Sequence, residues 1–296
     1  ANQTSRFVGR AYRPRAGRFQ VSNALAVISS NGTALTELEN AVLAELDADN
    51  GGAYDYQPTR IKFPSGGMMA FSVDDSDTLK PPVKAIIAVS QKARAFWPAK
   101  DTAGQPPLCS SPDGVAGMFD TTSDQVAAAA GLAFRHPALD TLDPEQAGGP
   151  WQCATCAMAQ WGSGNGRGQA CKSLRRLIVL VEGWTMPAIM TLPPTSIKAF
   201  DTYASACART RGGAYFTNWT RIELAQESNG AGIKFSVAKF SVEKPLSQAE
   251  LAAVIDVRHQ YAELVRSLNI VADDYATDGT DAAARNYVQE EADTPF

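Results

Sequence analysis

The stretch VKAIIAVSQKARAFW, residues 83–97, constrains the fold more than any other part of the chain. Side chains alternate between the two faces of a strand, and apart from Lys84 the first half is apolar on both. It must therefore be buried on both sides. The second half alternates: Lys92, Arg94 and Phe96 share one side, and Ala93, Ala95 and Trp97 share the other. Two cations and a ring on one face suit single-stranded nucleic acid, whose phosphates take the charge and whose bases stack on rings. The plain alternative is a solvated edge strand with its cation stems lying along the surface.

The neighbouring segments supply partners for this strand. A helix is expected at 33–47, where Leu35, Leu38, Val42 and Leu46 recur at three- and four-residue steps. Short strands follow at 60–63 (RIKF, with Arg60 and Lys62 on one face) and 66–73, then the acidic turn DDSD. RRLIVLVEG at 175–183 reads as a buried strand. The next helix is expected to be capped by Thr195 or Ser196 and to run to about Arg211. Two strands joined by ESNGAG come next. The last helix opens on a Ser247–Glu250 capping box, with Leu251, Val254, Ile255, Val265 and Leu268 as its buried stripe. This order predicts an α+β fold: a curved antiparallel sheet or an OB-like β-barrel with flanking helices.

Residues 98–172 differ in character, being rich in Gly, Pro and Ala and holding four of the five cysteines. They are expected to form an inserted zinc-knuckle subdomain within an OB-like DNA-binding domain at 21–269. Cys153 and Cys156 form a C-x-x-C knuckle, and Cys171 and Cys109 complete a set of four thiolates for a structural Zn2+ with no open position. His136 is the alternative to Cys109. Free thiols are the plain reading, and Cys207 is read as a core residue. The loop between Cys156 and Cys171 carries Trp161 and Arg167 among glycines, but lacks the Lys-Ser or Lys-Thr of a phosphate loop. It reads either as a DNA-touching tip or as a plain exposed loop.

The net charge of −4 hides a polarity. Residues 1–20 hold five arginines and no acid and read as a basic flexible arm able to contact DNA or a neighbouring molecule. Residues 271–296 hold seven acids and one base, and residues 270–296 read as an acidic partner-binding tail. Without a run of eighteen apolar residues no membrane span is expected. Without an apolar stretch after the early arginines no signal peptide is expected, and the cytoplasm is the expected location. Ala1 fits a chain whose initiator Met has been removed, or a cloning boundary. No catalytic constellation stands out: there are two histidines, His136 and His259, and no nucleophile elbow or HExxH. The chain is not expected to be an enzyme.

The terminal EEADTPF, with Glu290, Glu291, Asp293, Pro295 and Phe296, resembles the acidic tip of single-stranded-DNA-binding proteins of bacteria and their viruses. The resemblance implies a tail that recruits replication or recombination proteins in a bacterial host cell and competes with DNA for the protein's own cationic groove. It directs attention to Lys92, Arg94, Phe96 and Trp97 first as DNA-binding residues. Arg60, Lys62, Trp161, Arg167, Arg175, Arg176, Trp219 and Arg221 follow, with Trp219 equally suited to the core. A looser resemblance links CSSPDG, WQCATC, ACKSLRRLIVLVEG and LPPTSIKAFDTYASA to recombination directionality factors of serine integrases. It implies the alternative function, an accessory factor that redirects a recombinase.

Overall fold

The computed structural model describes residues 58–274 apart from 65, 75–76, 99–104, 165–167, 185, 229–231 and 233. The expected helix at 33–47, the basic arm and the residues of the acidic tip lie outside the described residues.

The strand that had to be covered on both sides is the centre of the sheet. β4 (Val83–Phe96) pairs along its length with β8 (Cys171–Val181), from Ala85↔Val181 to Phe96↔Cys171. Beyond β8 lie β9 (Ala188–Leu192), β1 (Thr59–Lys62), β2 (Phe71–Val73) and β3 (Asp77–Leu79). The other edge of β4 is shared. Residues 83–86 pair with β10 (Asn218–Ser228), which pairs in turn with β11 (Lys234–Pro245). Residues 94–96 pair with β5 (Cys109–Ser111), from which β6 (Ala116–Phe119) and β7 (Trp151–Gln152) extend. The pairs are antiparallel except β1–β9. Among the described residues no strand joins β3 to β11, so the sheet is open. It curves far enough for Gln226 Nε2 and Ser236 Oγ to donate to the carbonyls of Gly67 and Met68, at 2.8 and 2.6 Å.

Short helices α1 (Val126–Ala130) and α2 (Pro144–Ala147) lie in the excursion between β4 and β8. Two longer helices cover the sheet's faces. α3 (Pro194–Ala208) buries Phe200, Tyr203 and Cys207 against Ala85, Ile87, Leu177, Val179 and Ile222. α4 (Gln248–Ser267) buries Val254, Val257, Tyr261 and Val265 against Ile86, Ala88, Ile178, Leu180 and Trp219. Alternate residues of β4 thus feed opposite cores, as its sequence requires. None of the described helices is long and apolar enough to cross a membrane.

The last helix opens on the expected capping box: Ser247 Oγ accepts from Glu250 N, and Glu250 accepts from Ser247 N. The stripe differs from expectation. Ile255 is exposed, and Ala253, Val257 and Tyr261 take the inward positions. The start of α3 also differs. Pro193 occupies the cap position, while Ser196 is buried and accepts from Ala238 N of β11 at 3.0 Å. The helix ends at Ala208, followed by the Gly212–Gly213 turn.

Arg176 and Trp219, expected among the DNA-binding residues, belong to this framework. Trp219 is 1% exposed, and its Nε1 donates to Glu250 Oε1 at 2.9 Å, tying β10 to the first turn of α4. Arg176 is fully buried; its Nη1 donates to the carbonyls of Val265 and Leu268 at the C-terminal end of α4. Arg60, on the same face, pairs with Asp274, which also accepts from Thr191. Asp274, counted with the acidic tail, is therefore a buried residue of the body. Neither Arg176 nor Trp219 has surface to offer a polynucleotide. Replacing Arg176 by Met should leave the two helix-end carbonyls without this donor. The expected loss is about 3 kcal/mol of unfolding free energy. A fall in the urea midpoint measures it, and an unchanged midpoint would dismiss the clamp.

Candidate nucleic-acid interface and cysteine cluster

The β4–β8 register builds a cationic row. Lys92 stands opposite Arg175, and Arg94 stands opposite Ser173. Opposite residues share a face, and alternate residues along β4 return to it. Ser90, Lys92, Arg94 and Arg175 therefore lie on the α3 side, because Ser90 faces Leu177 of that core. Lys92 is exposed. Arg175 rests 5.8 Å from the Phe200 ring and pairs with Asp201 at 2.8 Å. Three polar atoms in the row are buried without a hydrogen-bond partner: Ser90 Oγ, Arg94 Nη1 and Arg175 Nε. Like charges set opposite one another destabilise a strand pair, and an unfilled buried donor costs about 1–3 kcal/mol. An anion lying along the row would relieve the repulsion between the cations.

The other expected residues are dispersed. Phe96 is 1% exposed, packed with Leu108, Phe119 and Met158 and stacked on His136 at 6.3 Å; it is not available to a base. Trp97 is half-buried beside Ala93, Ala95 and Leu174, and its Nε1 donates to Gln105 O. Arg60 and Lys62 lie on the α4 face. Arg221, near the β11 edge, pairs with Glu223 and Glu243. Trp161 is 57% exposed at the end of the knuckle turn. Arg167 lies outside the described residues, as do Glu290, Glu291, Asp293, Pro295 and Phe296. What the sequence could not show is Asp201, delivered by α3, and the cross-strand match of Lys92 with Arg175.

The four insertion cysteines share one buried pocket at the end of this row. Cys109 and Cys171 both stand opposite Phe96, on the strands either side of it. A Cβ on Gly117 would lie 3.0 Å from Cys109 Sγ and 3.8 Å from Cys153 Sγ, so a glycine is what lets those two sulfurs approach. The amides of Met158 and Ala159 bond to Cys156 sulfur, as a C-x-x-C knuckle requires, and oppose the rise in its pKa caused by burial. Burial, then the other three thiols, pushes Cys109 far up; burial pushes Cys171 up to about 12, with Arg94 opposing. Arg94 is thus near enough to Cys171 to link the cluster to the cationic row. Among the described residues no three His, Cys, Asp or Glu side chains converge tightly enough to form a metal group. The thiols are nevertheless near enough to disfavour one another's ionisation. Neutral thiols gain nothing by converging; four thiolates would need a cation to hold them. Four cysteines are by donor type the set of a closed Zn2+ site, but the described side chains are not gathered into one.

His136, the alternative to Cys109, has one ring nitrogen engaged. It is buried between Phe96, Phe119 and Trp151, and its Nδ1 accepts from Ala138 N at 3.1 Å. The Asp113–Gly114 pair, part of the likeness to directionality factors, makes a turn. Burial would raise Asp113, but the amides of Val115 and Ala116 and the Ser111 hydroxyl hold it below the usual carboxylate range. Gly114 has φ +74°, and a Cβ there would meet the backbone of Lys92 at 3.2 Å. Cys207, as expected, is a core residue of α3.

Burial lowers His136 to about 4 from its ordinary 6.5. The unfolded chain therefore binds a proton first, and the stability this neutral ring contributes is full above pH 6.5. It is lost as the pH falls from 6.5 towards 4, amounting to roughly 2 kcal/mol by pH 5. His136→Asn keeps a cap acceptor without titrating, so its melting temperature should depend less on pH between 7 and 5 than that of the parent. Parallel profiles would exclude this residue. Comparison of the chain with protein-family models, with curated proteins and with solved structures finds no match.

Proposed function

We propose that the chain is a non-catalytic single-stranded-DNA-binding protein of viral or mobile-element DNA replication and recombination. The observation that carries this reading is the row Ser90–Lys92–Arg94–Arg175. It holds three cations on one face of two paired strands, among them an exposed lysine. Phosphate oxygens accept from both lysine and guanidinium, and a curved sheet lets a flexible strand follow several of them. The open sheet would serve as the platform that an OB-like barrel provides. Exposed Trp161 offers a ring on which a base can stack.

The same reading takes Cys109, Cys153, Cys156 and Cys171 as ligands of a structural Zn2+. The ion would hold the end of β4 against an insertion whose own core is small, and Arg94 would offset the net negative charge of four thiolates around a dication. The acidic segment Glu290–Asp293 would be displaced by DNA and would recruit replication or recombination proteins.

Lys92→Ala is expected to weaken oligo-dT binding severalfold at about 50 mM salt. It should also flatten the dependence of log affinity on log salt by about 0.7, the share of one phosphate contact on a single strand. Arg221→Ala, already paired with acids, should bind like the parent. Equal affinity for all three proteins would remove the row from the interface. Metal analysis of the purified chain should find one zinc per molecule, lost in Cys153→Ser together with several degrees of melting temperature. A folded, zinc-free parent that melts normally would overturn the metal assignment.

A further inference from the structure

We propose that the groove along the outer edge of β11 binds an extended acidic peptide from a partner protein, added to the sheet as a further strand. This surface is separate from the row on β4 and β8, and the inference does not rest on DNA binding.

Three observations carry it. β11 pairs with β10 alone, so among the described residues its outer edge has no strand partner. The direction of that edge is known at one residue. Ala238 N donates to Ser196 Oγ, so Ala238 turns its backbone groups away from β10. In an antiparallel strand alternate residues do the same, which directs the backbone of Phe240 and Val242 outward as well. Second, the edge does not open onto bare solvent. A groove of about 970 Å³ runs beside it, walled by the small side chains Ala199, Thr202 and Ala206 of α3 and reaching Leu246 and Leu251 at the start of α4. Small residues on the helix leave room for a backbone between helix and strand, while alternate side chains of an added strand would turn to either side. Val242 is 49% exposed at the site, an unusual amount for a strand residue of its kind. Third, the charge is one-sided. Lys198, Arg211 and Lys239 line the groove against a single acid, Glu227.

A bare edge of this length invites indiscriminate pairing unless its occupant is specified. Main-chain hydrogen bonds would supply affinity without regard to sequence, and the cations would select carboxylates at the alternate positions. The occupant is therefore a peptide with acids interleaved among apolar residues.

The test uses the full-length protein and a fluorescein-labelled octapeptide of alternating glutamate and valine, read by anisotropy. Saturable binding is expected, with at least tenfold loss in Arg211→Glu/Lys239→Glu and in Val242→Pro. The proline removes an outward N–H while the bonds to β10 remain; circular dichroism and melting check that both variants fold. The same peptide N-methylated at alternate residues should fail to bind, and a lysine–valine octapeptide should bind at least tenfold more weakly. Four results would overturn the proposal: no binding, unchanged binding in the folded variants, equal binding of the N-methylated peptide, or displacement of the probe by oligo-dT that competes with equal strength in parent and Lys92→Ala. The last would assign the groove to a polynucleotide.

Discussion

The ladder between β4 and β8 is the interaction on which the molecule depends. It sets the registration of both faces at once. At Ala85 to Ile87 it supplies alternate side chains to two helix-covered cores, and a register shift between Ile87 and Val89 sends both Ala88 and Val89 to the α4 side. Five residues further on, the same ladder carries lysine and arginine on the α3 face, where Arg175 meets Phe200 and Asp201. At its end it stops on Phe96, flanked by two cysteines. A one-residue slip would exchange the faces: Arg175 would enter the α4 side and Arg176 would leave its carbonyl partners. The apolar half thus pins the register of the functional half, because burial on both faces makes slippage costly there.

The arginines on this frame separate into two kinds by what neutralises them. Arg176 is buried with helix-end carbonyls as acceptors and Asp274 nearby, and burial lowers its pKa from the ordinary value against the pull of that carboxylate. It is used to fasten α4. Arg175 is the adjacent residue of β8 and Arg94 stands opposite Ser173, both on the other face, where Arg175 pairs with Asp201 and rests on Phe200. The two kinds lie on adjacent positions, 175 and 176, of one strand. Their difference in use follows from the alternation of the pleat alone.

That alternation also explains how far the sequence could be read. Burial of β4 and β8 and the capping box of α4 were legible because each depends on short-range spacing. The open sheet was not separable from a barrel, since closure depends on whether β3 and β11 meet, and nothing local specifies that. Phe96 was placed with Lys92 and Arg94 on the correct face of the strand. The error lay in what covers that face: the face is solvated at residue 92 and closed over by the insertion at residue 96. Trp219 misled for a related reason. An aromatic beside cations in a strand looks the same whether its partner is a base or Glu250. Asp201 and Asp274 could not be matched to Arg175 and Arg60 by spacing, because those contacts are set by helix packing and by the return of the chain after α4.

The junction of row and cysteine pocket has a further consequence. Arg94 lies near enough to Cys171 to oppose the rise in its pKa, and its Nη1 has no hydrogen-bond partner among the described residues. With neutral thiols nothing on the cysteine side balances its charge, whereas Arg175 is balanced by Asp201. With thiolates around a dication, one side of Arg94 meets net negative charge, so the guanidinium is held in place and the repulsion towards Lys92 and Arg175 is reduced. The insertion therefore does more than close the end of the sheet. If its four cysteines hold a cation, its charge state would set how much positive potential the row presents, and the folding of the least apolar region would be coupled to the electrostatics of the row.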